Sequence, residues 1–81
     1  MSTETAVPHK TIDLSGLRCP NTVIATIRAL DTLQNGQHLQ VIATDLSAPS
    51  NISAWCRQSS HKMVEMYEEN SRFIFIIQKF A

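Results

Sequence analysis

An α/β (α+β) two-layer sandwich of order βαβαββ is the fold that this 81-residue sequence predicts, and three observations carry it. One run of apolar residues at helical spacing opens at Pro20 and closes on Asn35-Gly36, and a second amphipathic stretch follows it. Short strand-like segments precede the first, separate the two and follow the second. The last two such segments are joined only by Glu69-Asn70-Ser71, a hairpin turn in composition. Each strand–helix–strand step favours a right-handed crossover, which sets both helices on one face of a four-stranded mixed sheet.

Met1 to Lys10 mix Ser, Thr, Glu, Pro and His without periodicity and read as a flexible tail, leaving residues 11–81 as the domain. Thr11 to Leu14 is the first strand, with Ile12 and Leu14 on one face, and Ser15-Gly16 ends it. The first helix carries Val23, Ile24, Ile27, Leu30 and Leu33 as its apolar stripe. Pro20 suits the first helical position, where no amide hydrogen is needed, and this places Cys19 at the N-cap. His38 to Thr44 alternates Leu39, Val41 and Ala43 against Gln40, Ile42 and Thr44 and forms the second strand.

Asp45 or Ser47 caps a second helix bearing Ile52, Trp55 and Cys56 on one face and ending near Ser59, with Pro49 in its first turn. Lys62 to Glu68 and Arg72 to Phe80 complete the sheet. The last strand is apolar on both sides: Phe73, Phe75 and Ile77 form one row, Ile74, Ile76 and Phe80 the other. Such a strand is either central in the sheet or presents one row as a contact patch on the uncovered face.

Seven basic residues balance seven acidic ones, so no global field draws the chain to nucleic acid or anionic lipid. A local basic patch would need Arg18 and Arg28 on one side of the first helix and its preceding loop. No segment reaches the roughly 20 apolar residues of a membrane span, and the first ten residues have no signal-like apolar core. The expectation is therefore a cytoplasmic protein whose two cysteines stay reduced.

Cys19 is the candidate reactive group. At a helix start, a thiol meets unpaired amide hydrogens and the positive end of the helix dipole, both of which favour the thiolate. Arg18 beside it can add positive charge. Cys56, beside Trp55 on a core-facing stripe, reads as a small buried thiol. His9, His38 and His61 show no metal-ligand spacing with a cysteine and read as surface or edge residues, so neither a metal nor a cofactor is expected. Asp13 and Asp45 suit loop-amide holding or partner steering, and Glu65, Glu68 and Glu69 a solvated strand end.

The run Gly16-Leu17-Arg18-Cys19-Pro20, followed by an amphipathic helix, resembles the signature of the TusA/SirA family of sulfur carriers. Asp13 before the run, Asn35-Gly36, Asp45, and Ile52 with Trp55-Cys56 extend the likeness over Thr11 to Phe80. The resemblance implies the same βαβαββ sandwich and a persulfide carried on Cys19. It implies a site of Asp13, Gly16, Leu17, Arg18, Pro20 and Asp45 around that sulfur, to which the expected helix-start geometry adds Thr22. It further implies a sulfur-donor protein, a cysteine desulfurase or rhodanese-like, and a downstream acceptor, in tRNA thiolation or a sulfur-oxidation or thiosulfate-type pathway. Such a chain acts as a sulfurtransferase-type carrier, monomeric or weakly dimeric, and not as a stand-alone enzyme.

One departure stands out: the family motif Cys-Pro-x-Pro reads Cys19-Pro20-Asn21-Thr22 here. With Cys19 as N-cap, Thr22 would offer the sulfur a backbone amide that a proline lacks. The competing reading is a non-catalytic interaction or regulatory module of the same fold. A thiol oxidoreductase ranks last, because Cys-x-x-Cys spacing is absent.

Overall fold

The computed structural model describes residues 8–80. Its elements follow the expected order: β1 Lys10–Leu14, α1 Asn21–Asp31, β2 His38–Ala43, α2 Ala48–Gln58, β3 Lys62–Glu69 and β4 Arg72–Gln78. The four strands lie side by side in the order β1-β2-β4-β3, with β1 parallel to β2 and the other pairs antiparallel. Most of the expected tail, residues 1–7, lies outside the described residues. Lys10, expected in the tail, instead opens β1, because pairing with β2 already begins at Lys10 opposite Leu39.

The helix-facing side of the sheet is built from alternate residues, as period-two patterning requires. Leu14, Leu39, Val41, Ala43, Phe75 and Ile77 meet Ala29 and Leu30 of α1 and Ala48, Ile52 and Cys56 of α2 in one apolar cluster. Trp55, expected in the core, is half-buried against the edge of this cluster.

The buried stripe of α1 differs from the expected one. Thr22, Thr26, Ala29 and Leu30 are buried, whereas Ile24 is 41% exposed. The two threonines are hidden at no polar cost. Thr26 Oγ1 donates to the Thr22 carbonyl at 2.8 Å, and the Thr22 hydroxyl finds a partner at the site described below. Apolar spacing alone favoured Ile24 over Thr22, since it ignores hydroxyls that the backbone itself can satisfy.

β4 is central, which accounts for its doubly apolar pattern. Phe75 and Ile77 face the helices, while Ile74 and Ile76 on the open face are only 4% and 3% exposed. Cross-strand neighbours cover them: Ile42 and Tyr67 flank Ile74, and Gln40 and Glu65 flank Ile76. The β3–β4 hairpin closes through Asn70 and Ser71, both at positive φ (53° and 63°), as a two-residue turn matching the strand twist requires.

Two boundaries fall short of expectation. β2 ends at Ala43, because Thr44 turns its hydroxyl to the Gly16 amide (2.9 Å). β4 ends at Gln78, because Lys79 bonds to the turn before β2: Lys79 N–H donates to Gln37 O (2.9 Å) and Gly36 N–H to Lys79 O (2.7 Å). Phe80, expected on the open-face row, lies beyond the strand, where its N–H donates to His61 Nδ1 at 3.1 Å.

Candidate functional site

Because β1 and β2 run parallel and pair through Leu14 opposite Ala43, the two strand-to-helix loops leave the sheet at the same end. In α/β structures this carboxyl end of adjacent parallel strands is where ligand-handling loops gather. Loop 15–20 and loop 44–47 are tied together there. Gly16 donates its N–H to Thr44 Oγ1, and Cys19 donates its N–H to Asp45 Oδ2 at 2.9 Å. Gly16 sits at φ +87°, a conformation that glycine enters without Cβ strain.

The two aspartates act as loop fasteners. Asp13 Oδ1 accepts from the Ser15 hydroxyl (2.6 Å) and amide (3.0 Å), which hold its carboxyl below the ordinary carboxylate range. Asp45 is held low in the same way, first by the Ser47 hydroxyl (2.7 Å to Oδ2), then by the Cys19 amide. Arg18 is exposed and its charge lowers Asp45 a little further. Leu17 and Leu46 stand exposed on either side of an open cleft that also takes in Gly16, Arg18, Thr44 and Asp45. Arg28 and Lys10 line a different cleft, with Leu17 and Ile24, so Arg18 and Arg28 do not share one.

Cys19 is half-buried and free. The expected N-cap position is not where it stands: Pro20 is the N-cap, with its carbonyl accepting the first helical bond from Ile24 N–H at 3.0 Å. A tight turn from Asn21 N–H to Arg18 O (2.8 Å) carries the chain into the helix, so Cys19 precedes the cap by one residue. Thr22 consequently presents its hydroxyl and not its amide: Sγ lies 3.4 Å from Thr22 Oγ1. The shorter of the two side-chain contacts to the sulfur comes from α2, where Asn51 Nδ2 donates to Sγ at 2.9 Å. Side-chain polar groups thus stand where helix amides were expected.

Of the sequence-predicted residues, Cys19, Thr22 and Asp45 meet directly at this site, and Gly16 joins it through Thr44. Pro20 caps the helix beside it, while Leu17 and Arg18 flank it on the exposed loop. Asp13 acts at one remove, through Ser15. Asn51 was missed. A polar side chain in the first turn of the helix that follows the adjacent parallel strand is the signal that points to it.

Cys56 is buried in the core, and burial pushes its thiol up to about 11. His9 stacks on His38 with ring centroids 6.0 Å apart. His61 packs against Trp55, and burial together with Lys79 favours its neutral form, as accepting the Phe80 amide at Nδ1 requires.

Fold and site together define a small α+β domain that presents one half-exposed thiol at the shared end of two parallel strands. The family model described as sulfurtransferase TusA matches residues 10–79, and the chain belongs to that family. The chain is 35% identical to the sulfur carrier protein TusA of Allochromatium vinosum over 68 residues, covering 84% of this chain and 90% of that protein. It is 37% identical to the Bacillus subtilis protein YrkI over 70 residues, covering 86% and 93%. The crystal structure of a SirA-like protein from Desulfitobacterium hafniense shares the fold with a TM-score of 0.76 at 23% identity, covering 89% of this chain and 99% of that one.

Proposed function

We propose that this chain is a sulfur carrier that accepts sulfane sulfur as a persulfide on Cys19 and relays it to an acceptor protein. The observation that carries the proposal is the setting of the sulfur. Cys19 Sγ is half-exposed, fixed by Asn51 and Thr22, and borne on a loop whose backbone is fastened to Asp45. Membership of a family whose relatives are named sulfur carriers supports the same reading.

The chemistry needs no bound group beyond the thiol. The Cys19 thiolate attacks the outer sulfur of a donor persulfide, the donor thiolate departs, and Cys19 keeps the added sulfur. Gly16 and Thr44 hold the loop so that the thiol stays in place while partners exchange. Leu17 and Leu46, 40% and 86% exposed beside it, give a partner apolar surface to dock on. The donor fits a cysteine desulfurase or a rhodanese-like protein in the cytoplasm, and the acceptor the next thiol protein of a thiolation or sulfur-oxidation route.

Intact-mass spectrometry after incubation with glutathione persulfide tests the assignment. One or more added sulfurs, mapped to Cys19 and absent from Cys19→Ser, are expected. An unmodified mass would leave only the interaction-module reading, and an internal Cys19–Cys56 disulfide would indicate an oxidoreductase.

A further inference from the structure

We propose that Asn51 is a catalytic residue of the sulfur hand-over, stabilising Cys19 Sγ as the departing thiolate when the outer sulfur is passed on; this rests on the carrier reading above. The placement is specific. Asn51 lies in the first turn of α2, with its N–H bonded to Ser47 O at 3.0 Å, and the next residue, Ile52, is fully buried in the core. The backbone beneath the amide is therefore anchored, and its Nδ2 reaches Sγ across 32 residues of sequence.

The direction of the effect follows from where charge sits in each state. Loading converts Cys19–S⁻ and R–S–SH into Cys19–S–SH and R–S⁻: the Sγ–S bond forms, the donor S–S bond breaks, and its electron pair leaves on R–S⁻. Discharge converts Cys19–S–SH and R′–S⁻ into Cys19–S⁻ and R′–S–SH, and now the electron pair of the broken bond arrives on Sγ. No oxidant or reductant enters either step. In the loaded protein the ionisable end is the outer sulfur, one S–S bond beyond the Sγ atom that the Asn51 amide contacts.

An amide hydrogen aimed at Sγ therefore favours the unloaded thiolate over the persulfide and lowers the barrier to discharge. During loading the same bond holds the attacking electron pair and blunts its nucleophilicity, so its loss spares loading while it slows discharge. The Thr22 hydroxyl can donate or accept and so follows either charge state, whereas the amide hydrogen of Asn51 can only donate. Asn51 is thus the group that makes the two half-reactions unequal.

The test is single-turnover loading from glutathione persulfide and discharge to free cysteine, followed by intact mass, for the full chain as wild type, Asn51→Ala and Asn51→Asp. Discharge should slow by about three- to tenfold in Asn51→Ala, the loss of one hydrogen bond to a partly charged leaving group. Asn51→Asp, nearly isosteric but carrying charge against the sulfur, should slow it at least as much. Loading should change less than discharge in both. A merely structural role would move the two rates together, and circular dichroism identifies any variant that fails to fold. Equal discharge in wild type and a folded variant, or equal loss of both rates, overturns the inference while leaving the carrier reading intact. Failure of the wild type to load at all would remove both.

Discussion

Ile76 and Ile77 are adjacent on the central strand and almost equally hidden, at 3% and 0% exposure, yet their truncation to alanine should have unequal costs. Removing the outer carbons of either side chain forfeits about 2 kcal/mol of transfer free energy, at roughly 0.8 kcal/mol per methylene. Ile77 faces the helices and lies among Leu39, Phe75 and Ile52 in the closed cluster, so a void remains. At about 24 cal/mol per Å³ a partly collapsed void of several tens of Å³ adds roughly 1–2 kcal/mol, giving about 3–4 kcal/mol for Ile77→Ala.

Ile76 faces the open side, where Gln40 is half-buried and Glu65 exposed. There the neighbours can fold inward and water can enter, so no void persists and Ile76→Ala should cost only about 1–2 kcal/mol. Against a total stability of about 4–12 kcal/mol for a chain of this length, the difference is large. Urea unfolding followed by tryptophan fluorescence measures it, with the slope checked for constancy between variants. Equal losses would refute the reasoning, since they would mean that the open face is packed as rigidly as the helix-covered one.

Two further outcomes are expected. Cys56 is buried with its thiol raised to about 11, so an aromatic disulfide reagent at pH 8 should titrate Cys19 quickly and Cys56 only when urea unfolds the chain; rapid release of two equivalents would contradict the core placement. Asp45 has a folded-state pKa below its unfolded value because the Ser47 hydroxyl and Cys19 amide bind the carboxylate. Its contribution is therefore present above the unfolded value, near 3.8, and is lost as pH falls through the lower folded value. Acid unfolding of Asp45→Asn should accordingly be less steep than that of wild type, a difference that circular dichroism against pH would read, and superimposable curves would count against the Asp45 fastening.

Local pattern carried most of the fold. Alternation fixed which residues of β2 face inward, helical spacing placed α1 and α2, and the turn-forming pair Asn70-Ser71 sat between two strand-like runs. These are properties of short windows, in which side-chain direction follows backbone period. The run Gly16-Leu17-Arg18-Cys19-Pro20 that singles out Cys19 is likewise a short window of sequence, whereas the groups around its sulfur are not.

Tertiary structure alone decided what surrounds that sulfur. The start of α1 at Asn21, one residue later than proline placement suggests, turned the Thr22 hydroxyl instead of its amide toward Cys19. The Asn51 contact exists only because parallel pairing of β1 with β2 brings two loops to one end of the sheet. The burial of Thr22 and Thr26, and the cover over Ile74 and Ile76, likewise depend on which strands and helices become neighbours. Periodicity assigns a side chain to a face of its own element; which group waits opposite is set by strand order, crossover and register, and these emerge only when the whole chain closes on its core.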